Sequence, residues 1–398
     1  MQSIAVFTKN MDDLDLGVAE LKESLKDFKF GRNSLGIVFA HAETDFEELG
    51  AKLREEFKFP IMGCSAMSLF SEQQGYAKEG ISFHVFTADD CSFAAGMTGE
   101  LTEDNYKSEI RKTFNALKND LGGWRPKVII TYAVKNNKIP GDEFVNVLDE
   151  VSGGIPIFGG FCSDNFVFDE CSVMLNSQMN RKGMVMVLIG GNTKPVIKGE
   201  FSVETVADFD ETVTEARGNV VYRLGNKTLV ESLQAAGFDL EAKDLLMQFV
   251  GSPFLVTYTT PEGDEIQVIR NLDGIDLETG AGIFLGSVPE GANIQLAMFS
   301  RKDVARSVAK AIQSAIVDVA NEHKHEYTTA IITSCVSRLM TFSNSDMMDE
   351  TKGYSAVIPH SIRFSGMYSY GEFCPIISKS TGNLHNCFHN ATFSFIVL

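Results

Sequence analysis

Two short segments concentrate the residue types of this chain that are suited to binding a ligand. The first is the sequence GGFCSDN at residues 159–165, which follows an apolar run that predicts a buried strand. Glycines at a strand end let a ligand approach the backbone, and Ser, Asp and Asn side chains supply hydrogen-bond donors and acceptors. The same residue types form tight turns, so the segment predicts either a binding site or a turn.

The second segment is the sequence GMYSYGE at residues 366–372. Two tyrosines and a glutamate at a strand end are suited to a polar, partly aromatic pocket wall. Glu372 could bind an amino group, or Arg338 or Arg363 could neutralise it. The alternative is a hairpin turn whose tyrosines cover a sheet edge, and we favour the binding site.

Two cysteines, Cys64 and Cys162, lie beside Gly-rich strand ends. A nucleophilic cysteine needs a base and usually a lowered pKa. The histidines of the N-terminal half are His41 and His84, and nothing in the spacing places either beside a cysteine. We interpret both cysteines as packing residues. A hydrolase or transferase that uses Cys64, Cys162 or Ser163 is the alternative.

A third feature is the pair His385 and His389, whose spacing of four puts both on one face of a helix or strand. Ligation of a metal or a haem is therefore geometrically allowed. The sequence indicates no third ligand and no acidic partner, so hydrogen-bonded structural histidines are favoured and no cofactor is expected. There is no P-loop, nucleophile elbow, HExxH or paired-cysteine motif, and we expect no enzyme activity.

An internal repeat positions the Gly-rich segments. Each of three copies has an apolar strand ending in a small residue, a variable segment, a second strand that runs into Gly and Ser, and a third apolar strand. The three copies comprise 36–40, 61–66 and 80–86; then 128–133, 155–165 and 183–189; then 330–335, 362–372 and 391–398. The repeat predicts one supersecondary unit used three times. The alternative is a chance likeness between unrelated α/β units.

Strands alternate with helical patterns at the start of the chain, which predicts an α/β domain over residues 1–195 with a mixed, mainly parallel sheet. Residues 196–300 carry short β patterns between Gly turns and predict an antiparallel meander. A long helix follows, because apolar residues recur at helical spacing. These residues are Val304, Val308, Ile312, Ile316 and Val319. The C-terminal α/β domain then covers residues 196–398.

The composition narrows the classes of partner. The formal net charge of −18 makes nucleic acid an unfavourable partner, because phosphate backbones are repelled. The N-terminus turns polar too soon for a signal peptide, and no apolar run is long enough to span a bilayer. Seven cysteines without a CxxC pair indicate reduced thiols. We therefore expect a cytoplasmic protein without membrane insertion.

Taken in order, the motifs of the chain resemble those of the FIST family of bacterial and archaeal sensory proteins. In the N-terminal part these are GCS at 63–65, GIS at 80–82 and FGGFCSDN at 158–165. In the C-terminal part they are IRN at 269–271, VPEG at 288–291, SCVSR at 334–338, FSGMYSYGE at 364–372 and HNAT at 389–392. The resemblance covers nearly the whole chain and implies FIST N-like and FIST C-like domains that meet at about residue 195.

The resemblance implies a sensory module that binds a small ligand such as an amino acid. The family is linked to histidine kinases, diguanylate cyclases and chemotaxis receptors, either fused or as separate partners. Both FIST parts occupy this chain, so the expected output runs through a separate partner protein. Some relatives are similar to haem-dependent nitric oxide sensors, and a haem-based sensor is the alternative.

We therefore expect a pocket where the Gly-rich strand ends of the two domains converge. An arginine and a glutamate together suit a zwitterion, because one pairs with its carboxylate and the other with its ammonium group. The predicted ligand contacts are Gly63, Cys64, Ser65, Gly159, Gly160, Ser163, Asp164, Asn165, Arg270, Arg338, Gly366, Tyr368, Tyr370 and Glu372.

Overall fold

The computed structural model describes residues 1–201, 203–299, 304–318, 326–342 and 348–398. Its first sheet contains six strands. In spatial order they are β1 (Gln2–Thr8), β6 (Ile81–Ala88), β2 (Asn33–His41), β3 (Ile61–Ala66), β10 (Val173–Leu175) and β11 (Gln178–Asn180). β2 and β3 are parallel, and all other neighbours are antiparallel.

Two further sheets repeat this arrangement. The second has the order β7 (Cys91–Met97), β12 (Met184–Gly191), β8 (Pro126–Ala133), β9 (Ile157–Phe161), β24 (Glu372–Ile377) and β25 (Leu384–His389). The third has the order β13 (Val196–Glu200), β26 (Phe393–Val397), β22 (Thr329–Cys335), β23 (Arg363–Ser369), β4 (Leu69–Ser71) and β5 (Gly75–Ala77). Each again has one parallel pair, β8 with β9 and β22 with β23. The predicted threefold repeat is confirmed.

The outer hairpin of each sheet comes from another unit. The first unit supplies the β4–β5 hairpin to the third sheet, where Phe70 faces Gly366. The second unit supplies β10–β11 to the first sheet, and the third unit supplies β24–β25 to the second. The three units therefore exchange hairpins in a closed cycle.

The predicted mainly parallel sheet is wrong, although the mixed sheet is correct. The strand–helix–strand pattern fixes the direction of β1 and β2 but leaves their adjacency open. β6 lies between them and is antiparallel to both. One parallel pair, β2 with β3, is left in the first sheet.

A fourth, antiparallel sheet is inserted within the third unit, between β13 and the helix that follows. In spatial order it contains β18 (Glu265–Arg270), β17 (Phe254–Thr259), β21 (Asn293–Phe299), β14 (Val203–Arg217), β15 (Val220–Leu224), β20 (Ala281–Phe284) and β19 (Leu272–Asp276), with β16 (Lys227–Thr228) beside β15. The antiparallel prediction is confirmed. The predicted meander is wrong, because strands that are consecutive in the chain are not all neighbours in this sheet. β21, for example, lies between β14 and β17.

Nine α-helices lie in the described residues. They are α1 (Leu14–Ser24), α2 (Phe46–Glu56), α3 (Tyr106–Asp120), α4 (Gly141–Ser152), α5 (Leu229–Ala235), α6 (Leu245–Gly251), α7 (Val304–Gln313), α8 (Val336–Phe342) and α9 (Met348–Val357). α1 packs on α2, α3 on α4 and α7 on α9, which gives one pair per unit. Asp13 and Asp45 cap α1 and α2 through side-chain bonds to backbone N–H groups.

The predicted long helix is present in the described residues, where α7 continues through a π-helical turn at Ser314–Asp318. Val308, Ile312 and Ile316 of the predicted stripe are buried, as expected for a helix packed on a core. Val319 lies outside the described residues, and nothing is said of the Val304 side chain. The largest apolar cluster contains residues of all three units, so the units share one core.

Candidate functional site

The three predicted strand ends meet in the interior. Ser163, just after β9, links the second strands of the three units. Its Oγ donates to the carbonyl oxygen of Tyr368 at 2.5 Å and accepts from the N–H of Met67 at 2.8 Å. The segments 63–65, 159–165 and 366–372 therefore do come together.

Ser65 extends this junction. Its Oγ donates to the carbonyl oxygen of Ser163 at 3.1 Å and accepts from the N–H of Ser172 at 3.0 Å. Ser65 and Ser163 are fully buried. Each hydroxyl both donates to and accepts from a protein group, so the serines hold the units together. Their role as ligand contacts stays a prediction.

The predicted glycines lie where strands approach closely. Gly159 has a φ of +141°, and a Cβ there would lie 1.7 Å from a carbonyl oxygen of β8. A Cβ on Gly366 would lie 2.1 Å from a carbonyl oxygen of β22. Gly63 and Gly160 are buried in the same way. Backbone packing between neighbouring strands accounts for these glycines without a ligand.

Asp164 organises the loop that follows β9. Its Oδ1 accepts the backbone N–H groups of residues 167 and 168, and its Oδ2 those of 169 and 170, all at 3.1 Å. The Tyr370 hydroxyl donates to Oδ1 at 2.6 Å. Burial raises the pKa of Asp164, but the bonds from Tyr370 and the backbone outweigh it and leave that pKa below its ordinary value. The exposed Asn165 donates to Glu43 at 3.1 Å.

Arg270 is buried and bound to backbone. Its Nε donates to the carbonyl oxygen of Ser287 at 3.0 Å, and its Nη1 to those of Phe388 at 2.7 Å and Ile269 at 3.2 Å. The guanidinium group also lies over the Phe388 ring, 5.6 Å from its centre. Three carbonyls and one ring therefore surround the charge that was predicted to bind a ligand carboxylate.

Arg338 pairs with a glutamate that the sequence did not single out. Its Nε and Nη2 both lie 2.9 Å from Oε1 of Glu350, and both side chains are buried. Glu350 also accepts from the Tyr368 hydroxyl at 2.8 Å and from Ser334 Oγ at 3.2 Å. The predicted contacts Arg338 and Tyr368 thus belong to a buried ionic network.

Glu372 is fully buried beside that network. Its Oε1 accepts from Ser369 Oγ at 2.6 Å, and its Oε2 from the N–H of Thr392 at 3.1 Å. Burial raises the pKa of Glu372 to about 8. The alternative in which Arg338 or Arg363 neutralises Glu372 is wrong, because Arg338 pairs with Glu350 and Arg363 with Glu72.

The two cysteines at strand ends are buried packing residues. Cys64 Sγ contacts the Met367 sulfur at 3.2 Å. Burial raises the pKa of Cys162 well above its ordinary value, which favours the thiol over the nucleophilic thiolate.

Both histidines of the C-terminal motif bind protein groups. His385 Nε2 lies 2.8 Å from Asp264 Oδ2. His389 Nε2 lies 3.0 Å from the Cys374 carbonyl oxygen, which can only accept, so this nitrogen carries the proton. Burial lowers the pKa of His389 to about 4. Among the described residues no group of three or more His, Cys, Asp or Glu side chains is placed to hold a metal.

A cavity opens where the second unit, the inserted sheet and the third unit meet. The centre of a water-sized sphere can occupy about 50 Å³ of it. Its lining comes from Lys135, Phe166 and Phe168; from Leu246, Val250, Asn271, Leu272, Asp273 and Leu285; and from Cys335, Val336, Ser337, Tyr370 and Asn390. Of the predicted ligand contacts, Tyr370 belongs to this described lining.

Two residues of the lining, Asn271 and Asn390, have buried side-chain amides. The backbone N–H of Asn271 donates to Asn390 Oδ1 at 3.1 Å, and Asn271 Nδ2 donates to the carbonyls of Phe249 and Val250. In the part of the chain that the structure describes, Asn271 Oδ1 and Asn390 Nδ2 have no partner. An unpaired buried polar atom costs about 1–3 kcal/mol. Leaving both atoms unpaired therefore destabilises the folded protein.

Aromatic rings form another part of the lining. Phe168 stacks on Tyr370, with ring centres 4.8 Å apart and planes 28° apart. Lys135 lies over the Phe168 ring at 5.7 Å and pairs with Asp273 at 2.9 Å. Phe166 and Phe168 have φ values of 62° and 60°, which are unfavourable for residues with a Cβ. The bonds to Asp164 hold this strained loop in place.

Sequence reasoning missed Asn271 and Asn390. Both lie within motifs that carry the family resemblance, IRN at 269–271 and HNAT at 389–392. The prediction favoured the charged neighbours over the neutral amides. A signal was present, since each asparagine directly follows a strand, β18 or β25, where side chains can turn toward a ligand.

These observations define an α/β protein of three related units, with an inserted antiparallel sheet and a cavity at their junction. Family models agree with the motifs: the FIST N domain matches residues 34–227 and the FIST C domain matches residues 228–375. The chain therefore belongs to the FIST family, whose domains are associated with sensory signal transduction.

None of the curated proteins compared with the chain matches it. No helix in the described part of the chain has the length and apolar character needed to cross a membrane. The division predicted at residue 195 lies just before β13, and it stays a prediction.

Proposed function

We propose that this protein is a stand-alone cytoplasmic sensor that binds a small organic molecule in the cavity between the second unit, the inserted sheet and the third unit. The observation that carries the proposal is that two residues of its lining have unpaired buried side-chain atoms, Asn271 Oδ1 and Asn390 Nδ2. Native proteins rarely leave such groups without partners. The role is binding rather than catalysis.

The position of the cavity suits a sensor. Three parts of the chain supply its walls: the loop with Phe166 and Phe168, the inserted sheet with Asn271, and the third unit with Tyr370. A ligand that contacts all three binds best in one arrangement of them. It therefore shifts the population of arrangements by its difference in affinity, which is the physical basis of signalling.

The signal passes to a separate partner protein. Membership of the FIST family supports a histidine kinase, a diguanylate cyclase or a chemotaxis receptor as this partner. The formal charge of −18 favours a partner with a basic docking surface, since complementary charge speeds association.

A thermal-shift screen of metabolites tests the binding proposal. A ligand at one hundred times its Kd stabilises the native state by about 2.7 kcal/mol. With about 2.1 cal/mol/K of unfolding entropy per residue, this raises the melting temperature of the 398-residue chain by about 3 °C. The hits are then repeated with two variants, Leu246→Trp and Leu277→Trp.

The variants separate the cavity from the surface. Leu246 lines the cavity, and the larger indole should fill it and abolish the shift. Leu277 is 63% exposed, so the same side chain there should leave the shift unchanged. Hits that survive Leu246→Trp, or a complete screen without a hit, would reject the cavity as the sensing site.

A further inference from the structure

Phenylalanines line an open groove at the start of β2. The lining includes Phe30, Phe57 and Phe59, and Phe93 of β7 adds a fourth ring. The centre of a water-sized sphere can occupy about 500 Å³ of the groove. Phe57 is buried, and the other residues of the described lining are half-buried or exposed. Small-molecule sites bury most of the surface of their ligand, so a groove this open is better suited to a segment of a macromolecule.

Phe30 is the centre of the aromatic surface in this groove. Its ring centre lies 5.4 Å from that of Phe28, 5.4 Å from that of Phe59 and 6.3 Å from that of Phe57. Phe30 is nevertheless 43% exposed. A further apolar side chain packed on this ring would remove it from water, and aromatic residues at the centre of a patch carry much of the binding energy of protein interfaces.

The charged groups of the groove favour an anion beside the apolar contact. Arg32 is exposed, and within the described residues no hydrogen bond or ion pair engages its guanidinium group. Lys58 Nζ donates to two carbonyl oxygens at the end of α2, at 3.1 and 2.8 Å, which uses two of its three N–H groups. The carboxylate of the described lining, Glu56, already pairs with Lys22. An incoming carboxylate would therefore meet free donors.

We propose that the groove docks a segment of a separate partner protein that places a large apolar side chain next to an aspartate or glutamate. The apolar side chain packs on Phe30, and the carboxylate accepts from Arg32. This inference goes beyond the proposed function, because the described linings of the groove and of the ligand cavity share no residue.

The groove lies at the opposite end of β3 from the junction of the Gly-Ser strand ends. Pro60 of its lining precedes β3, and Ser65 of the junction lies five residues further on. Five residues of a strand span about 17 Å. Phe93 belongs to the second unit and Phe57 to the first, so a docked segment contacts both. Its affinity then depends on how these two units are arranged.

The charge of the chain argues against a second copy as the occupant. Each copy carries −18, so two copies repel each other. A short acidic segment is attracted locally, because charges more than about 10 Å away are largely screened at about 0.1 M salt. Basic groups of the same partner can pair with the acidic surface outside the groove.

Selection from a random peptide library displayed on phage tests the docking chemistry. The wild-type protein is the target, and phage that also bind Phe30→Ser are removed. We expect the enriched peptides to share a large apolar residue next to Asp or Glu. In fluorescence polarisation these peptides should bind Phe30→Ser and Arg32→Glu at least tenfold more weakly than the wild type.

Matched variants elsewhere on the surface are the controls. Leu277→Ser removes an apolar side chain from a residue that is 63% exposed, and Arg217→Glu reverses an exposed charge on β14. Both should bind the peptides as the wild type does. Replacing the acidic residue of an enriched peptide by lysine should abolish binding to the wild type and restore it to Arg32→Glu. If a variant fails to fold, as judged by circular dichroism, the lysine peptide on the wild type still tests the charge.

The inference is overturned if no enriched peptide distinguishes the wild type from Phe30→Ser. Enriched peptides without an acidic residue, or equal binding of the lysine-substituted peptides, would overturn it as well. A wild-type protein that sediments as a dimer, with Phe30→Ser as a monomer, would assign the groove to a second copy instead. Metabolite binding is tested separately by the Leu246→Trp comparison, so either proposal can fail alone.

Discussion

Replacing Asp164 by asparagine should release the loop of residues 165–170 from the cavity wall. The two carboxylate oxygens of Asp164 accept four backbone N–H groups of this loop and the hydroxyl of Tyr370. Asparagine keeps the shape but turns one oxygen into an NH₂ group. Two backbone donors then face another donor.

The size of the effect follows from the bonds lost. A hydrogen bond to a charged group contributes about 1.5–3 kcal/mol, so two such bonds give at least about 3 kcal/mol. The unfolding entropy of a 398-residue chain that melts in one transition is about 0.8 kcal/mol per kelvin. The melting temperature of Asp164→Asn should therefore fall by about 4 °C.

Scanning calorimetry measures the fall, and hydrogen exchange of the amides of residues 167–170 locates it. Asp169→Asn is the matched control, because Asp169 lies in the same loop, is exposed and loses the same charge. The reasoning is refuted if the two variants melt within about 1 °C of each other with the same exchange rates in the loop.

Three further predictions concern buried charges. Glu350→Gln should destabilise the protein by about 3–5 kcal/mol in urea titration, because Arg338 loses its buried partner; the exposed control Glu278→Gln should change little. Lowering the pH from about 6.5 toward 4 should reduce the free energy of unfolding, because the unfolded chain then binds more protons than the folded protein. The cause is burial, which lowers the pKa of His389 to about 4 and that of His84 to about 3. His389→Gln should reduce the slope of the free energy of unfolding against pH, and an unchanged slope would contradict the prediction. Glu372, whose pKa is raised to about 8, has the opposite sign: its own contribution to the free energy of unfolding should fall by about 1.4 kcal/mol per pH unit between about 4.5 and 8. The difference in stability between Glu372→Gln and the wild type should therefore shift in favour of the variant from pH 5 to pH 8, and an unchanged difference would be the contrary result.

The threefold repeat could be predicted from the sequence because each of its patterns lies within a short stretch of the chain. An apolar strand and a second strand that ends in Gly and Ser are patterns within about ten residues, as at 61–66 and 155–165. The exchange of hairpins was not readable. Nothing local to 69–77 shows that this hairpin pairs with β23 of another unit, because strand adjacency is decided by the tertiary structure.

The site was predicted in part. Reading Gly-Ser strand ends as a meeting point was correct, since Ser163 binds both Met67 and Tyr368. The prediction that charged residues near these strand ends are free to bind a ligand was less successful. Arg338 already has a partner, Glu350, which lies 12 positions away on another helix. Whether a charged side chain is free to bind a ligand depends on its pairing in the folded protein, and the sequence does not show that pairing.

The cyclic exchange of hairpins also constrains how the chain folds as it is synthesised. Phe70 of the first hairpin pairs with Gly366, about 300 residues later. At a synthesis rate of about 5–20 residues per second, roughly 15–60 s pass between the synthesis of the hairpin and that of the strand with which it pairs. During that interval the apolar side chains of Leu69 and Phe70, fully buried in the finished protein, need temporary cover. We expect the nascent chain to depend on chaperones until the last unit emerges and closes the cycle.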